Sequence, residues 1–104
     1  MRVTRRKENQ AMQNEISFTI NPDAVRSFHD DGVVILHAGS GRLFSSNKIG
    51  ARIWSGIEQQ LSLETIASDI SSAYHIARAT AREHALRFLT ALEHQALIRI
   101  GVAS

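Results

Sequence analysis

Cysteine is absent from all 104 residues. That removes disulfides, thiol nucleophiles and thiolate metal ligands, and it fits a reducing cytoplasm. There is a single proline, Pro22, so the strand-like stretches after it keep every backbone donor. No apolar run approaches the roughly 20 residues that a membrane span requires. The basic start, Arg5-Arg6-Lys7, is not followed by an apolar stretch, so no secretory signal is expected. The five histidines are His29, His37, His75, His84 and His94. None pair at i, i+4, and no His-Glu metal motif occurs. There is no Gly-rich phosphate loop before a helix and no nucleophile elbow. The expectation is a cytoplasmic protein with no catalytic residues, no metal site, no cofactor and no membrane segment.

Basic charge on the folded part is also missing. The chain carries +2 overall, but Arg2, Arg5, Arg6 and Lys7 supply four of its twelve basic residues. From Asn9 onward there are eight basic and nine acidic residues, 8 − 9 = −1. A tight phosphate binder normally carries a basic face on its fold. Nucleic acid is therefore not the expected partner. Residues 1–15 read as a flexible basic N-terminal arm and residues 16–104 as one domain.

Ile16, Phe18 and Ile20 alternate with Ser17 and Thr19, which reads as an edge strand or merely an extended segment. Asn21-Pro22-Asp23 breaks it. Ala24–His29 and 33–37 flank Asp30-Asp31-Gly32, where the Asp-Gly pair signals a hairpin. Gly39-Ser40-Gly41 turns the chain again into a short strand over 42–45. The period then changes. Ser46 or Asn47 can cap a helix bearing Ile49, Ile53, Trp54 and Ile57, and Ser62 can cap a second bearing Leu63, Ile66, Ala67 and Ile70. A third runs from about Ala79 to Gln95, with Ala81, Ala85, Phe88, Leu92 and Ala96 as its apolar stripe and Leu89 beside it. Ile98, Ile100 and Val102 form a closing strand. The fold class is α+β, winged helix-turn-helix-like: a three-stranded antiparallel sheet followed by three helices that must cover it.

The order of Asp31-Gly32-Val33-Val34-Ile35-Leu36, Gly39-Ser40-Gly41, Asn47-Lys48-Ile49-Gly50-Ala51-Arg52-Ile53-Trp54, Leu63-Glu64-Thr65-Ile66-Ala67, Tyr74 and Phe88-Leu89-Thr90-Ala91-Leu92 resembles the PqqD-like family. That family includes the pyrroloquinoline quinone synthesis protein D and the recognition modules of lasso-peptide pathways, and the likeness spans roughly residues 24–100. It implies a winged helix-turn-helix that takes the leader of a ribosomal precursor peptide as an added strand. The last helix forms the other wall. The module then presents the guest to a modifying enzyme such as a radical enzyme, a leader protease or a cyclase. The sequence departs from the family pattern at Ser46, where Leu is usual, at His84, where an acid is usual, and at Ala96, where Gly is usual.

The peptide-binding residues expected are Arg42, Leu43, Phe44 and Ser45 on the receiving strand, and Arg82, Leu86, Leu89 and Glu93 on the helical wall. Leu86 is the informative apolar residue, set off the core stripe beside two charges. It either lines a groove or covers the sheet's edge. Phe44 either anchors a guest or faces inward, and Trp54 reads as core. The rival function is a winged-helix DNA-binding protein reading with Arg78, Arg82 and Arg87, although Arg82 and Arg87 lie about 140° apart on the helix. A third reading is an adaptor that docks on an enzyme without touching its substrate. An open strand edge is compatible with a monomer or a homodimer.

Overall fold

The computed structural model describes residues 16–102; the expected basic arm lies outside the described residues. The elements are β1 (Ile16–Ile20), β2 (Ala24–His29), β3 (Gly32–His37), β4 (Arg42–Ser46), α1 (Lys48–Glu58), α2 (Leu63–Tyr74), α3 (Arg78–His94) and β5 (Ile98–Val102). β2, β3 and β4 form the antiparallel three-stranded sheet in that order, and the three helices follow it. β1 does not join this sheet. It pairs antiparallel with β5, Phe18 opposite Ile100 and Ile20 opposite Ile98. The first and last described strands thus form a separate ribbon, and among the described residues neither border of the main sheet is paired.

Each boundary has a local cause. Asn47, not Ser46, caps α1, its side chain accepting from Gly50 N at 3.0 Å. Ser62 caps α2 by accepting from Thr65 N at 3.1 Å. Such caps satisfy donors that a helix start leaves orphaned. His75 ends α2 in the left-handed region at φ 55°, and the short turn into α3 makes the helix-turn-helix. At the end of α3, Ala96 N donates to Glu93 O and Leu97 N to Leu92 O. With Ala96 at φ 61°, this is a Schellman closure. Ala96 is therefore the turn residue beyond α3 and is exposed; it does not belong to the helical stripe.

The β2–β3 hairpin forms, but its connection is Asp30-Asp31. Gly32 already lies in β3 opposite His29. It is needed for space: a Cβ there would overlap the carbonyl oxygen of Ser46. The core takes Val33 and Ile35 from β3, Ile53, Trp54 and Ile57 from α1, Ile66 and Ile70 from α2, and Ala81, Ala85, Leu89 and Leu92 from α3. Trp54 is buried, as its helical spacing predicts. Among the described residues no helix is long and apolar enough to cross a membrane.

Candidate functional site

The outward-facing groups of β4 follow from the ladder. Ala38 N donates to Asp23 O at 2.9 Å, extending the register in which Leu36 faces Val25 and Val34 faces Ser27. Antiparallel bonding alternates, so the even-numbered residues of β3 bond β2 and Val33, Ile35 and His37 bond β4. Their partners are Ser46, Phe44 and Arg42. The N–H and C=O groups of the intervening Leu43 and Ser45 therefore point away from the sheet. Side chains alternate too. Leu43 projects onto the sheet's outer surface, 69% exposed, while Phe44 turns in and is half-buried.

At the Ser46 end of β4 lies a cleft of about 340 Å³. Ile49, Gly50 and Ile53 of α1 and His84, Arg87 and Phe88 of α3 line it, with Ser46 and Asn47 closing one end. Phe88 also meets Phe44 of β4 edge-on, ring centroids 5.8 Å apart at 62°. Gly50 keeps the floor low, since a Cβ there would overlap Ser46 Oγ and sit 2.8 Å from Phe88 Cε1.

Of the eight residues expected from the sequence to bind peptide, Arg42, Leu43, Phe44 and Ser45 lie on β4, and none of the four on α3 lines this cleft. Arg82 Nε donates to Glu64 Oε2 on α2 at 2.7 Å, and Glu93 Oε2 accepts from Ile100 N of β5 at 3.1 Å. Leu86 is half-buried against the core, and Leu89 is fully buried. These four share a flank of α3 that faces α2 and β5. His84, Arg87 and Phe88 lie roughly 180° around the helix at 100° per residue, and they are the residues turned toward β4. Amphipathicity marks two flanks beside a buried stripe without saying which one meets the sheet. The usable signal was Phe88, the aromatic residue of α3.

Charge is distributed unevenly around this cleft. The ion pairs among the described residues are Arg26–Glu58, Arg52–Asp69, Arg78–Glu64 and Arg82–Glu64. Arg87 is in none of them, and among the described residues no carboxylate lines the cleft. Among the described residues no group of His, Asp and Glu is placed to hold a metal ion.

A three-stranded antiparallel sheet with an open border, covered by a helix-turn-helix and cleft against its last helix, defines a winged helix-turn-helix module built to receive an extended segment. The family described as coenzyme PQQ synthesis protein D matches residues 32–98. Two solved structures share the fold. One, described as TbiB1 in complex with the TbiA(β) leader peptide, is 34% identical, covering 83% of this chain and 99% of that one at a TM-score of 0.74. The other, lasso peptide synthetase B1 complexed with the leader peptide, is 23% identical over 79% of this chain and 96% of its own, TM-score 0.73. No curated protein matches the chain. The chain belongs to the PqqD family.

Proposed function

We propose that this chain is a non-catalytic module that captures the leader of a ribosomally made precursor peptide and presents it to a modifying enzyme. The leader adds as a strand to β4, and the α3 face with His84, Arg87 and Phe88 forms the second wall. The observation that carries this is that no strand among the described residues pairs with β4 at Leu43 and Ser45, while an apolar-floored cleft opens at the strand's Ser46 end. Main-chain pairing with such a border accepts varied guest sequences, and side-chain pockets supply discrimination. The leader peptide seen with the 34%-identical relative supports the same reading. The DNA-binding rival is disfavoured because two of the arginines it needs, Arg78 and Arg82, are spent on Glu64. The partner enzyme is of the radical, leader-protease or cyclase kind.

The test is a titration of the isotope-labelled chain with the synthetic leader of a precursor peptide encoded beside it. The largest amide shifts are expected at Leu43, Ser45 and Phe88. Binding that shifts β2 instead, or leaves β4 still, removes the proposal.

A further inference from the structure

The cleft is not electrically neutral, and this bears on which peptide it takes. Arg87 is the one permanently charged side chain among its lining residues, and the neighbouring polar groups are the uncharged Ser46 and Asn47 and the imidazole of His84. Elsewhere on the helices Arg52, Arg78 and Arg82 each have a carboxylate within reach. Glu83 lies one turn before Arg87 on α3 yet makes no ion pair with it. The cation stands directly beside an apolar floor of Phe88, Ile49 and Ile53. An ammonium or guanidinium on the guest would be repelled there. A carboxylate would gain a bidentate partner beside that apolar floor.

We infer that the peptide bound at β4 carries an acidic side chain that pairs with Arg87, next to an apolar side chain seated against Phe88. This rests on the reading of β4 as a peptide-receiving strand and adds the guest's charge to it. Because the guest runs antiparallel or parallel to β4 with alternating faces, the two side chains that enter the cleft are separated by one that does not. The sequence signature is an Asp or Glu and an apolar residue two positions apart. Arg87 is open to solvent, so the pair contributes selection more than affinity.

The experiment selects random peptides about 12 residues long, enough to cross the five residues of β4 with flanks, against the full chain and against Arg87→Glu. Selected peptides are located by amide shifts and measured by fluorescence anisotropy. The expected result is an acidic residue enriched two positions from an apolar one, binding weakened about tenfold by R87E, and a smaller loss with added salt in R87E than in the parent. A charge-reversed peptide, Lys or Arg in place of the acid, should recover binding to R87E. Peptides that shift β4 yet show no acidic preference, or that bind R87E within about twofold of the parent, overturn the inference and leave strand capture standing. If no selected peptide shifts β4, strand capture and this inference fall together.

Discussion

Among the described residues the three-stranded sheet has two open borders, and they are built differently. On β2 the groups facing outward by the same alternation belong to Arg26 and Phe28. The Arg26 guanidinium lies 4.5 Å over the Phe28 ring and is held by Glu58 of α1 at 2.8 Å. Glu58 in turn accepts from Trp54 Nε1 at 2.8 Å, so the border's charged side chain is tied into the core. A fixed charge laid along an edge discourages another strand from pairing there. On β4 the corresponding residues are Leu43 and Ser45. Among the described residues no ion pair is fastened across them, and a cleft floored by Ile49, Ile53 and Phe88 opens at the Ser46 end of the strand. An open edge is thus a binding site only where nothing already blunts it.

The deepest break in this contrast is at the β2 anchor. Trp54→Ala removes a side chain 1% exposed that both fills the core and holds Glu58. It should cost about 3–5 kcal/mol, read as a lowered urea midpoint. A loss below about 1 kcal/mol would show that β2 is held by something other than α1.

The next largest effect separates the two borders directly. Proline has no N–H and is tolerated where a strand's N–H faces away from its ladder. Ser45→Pro should therefore keep the fold and weaken leader binding by about a hundredfold. Phe28→Pro on β2 should leave binding within about twofold. Anisotropy titrations of both variants decide it, since the reverse ranking would move the guest to β2.

How much of this was readable from sequence depends on the distance over which the signal acts. The caps at Asn47 and Ser62, the span of α3 and the strand at 42–45 arise from neighbouring residues, and they stand where the pattern puts them. The pairing of β1 with β5 joins opposite ends of the described residues, and no local pattern encodes a partner so remote. The four α3 residues expected from the sequence lie away from the cleft for another reason. Arg82, Leu86 and Glu93 look like a groove flank because they are polar and apolar residues side by side. Yet Glu64 and the Ile100 amide are what they serve. Periodicity gives a helix its buried stripe, and only the packing of α3 against the sheet decides which flank, here the one with His84, Arg87 and Phe88, remains over the cleft.

The smallest effect tests the β2 border by pH. The hydrogen bond from Arg26 holds the Glu58 carboxyl below its ordinary value of 4.5, with burial opposing the shift and the Trp54 hydrogen bond assisting it. A carboxyl with a lowered folded pKa favours the folded state while it is ionised in both states. As pH falls through 4.5 the unfolded chain takes up the proton first, and the contribution fades until the folded carboxyl is protonated as well. Arg26→Gln should therefore lower the melting temperature slightly at about pH 6 and less at about pH 3. Because the pair is partly exposed, 44% and 30% at its two side chains, solvent screens it and the loss near neutrality should be small. Leader binding at β4 should not change in the variant. If it did, the two borders would be coupled through β3, and the sheet could no longer be treated as one sealed edge and one receiving edge.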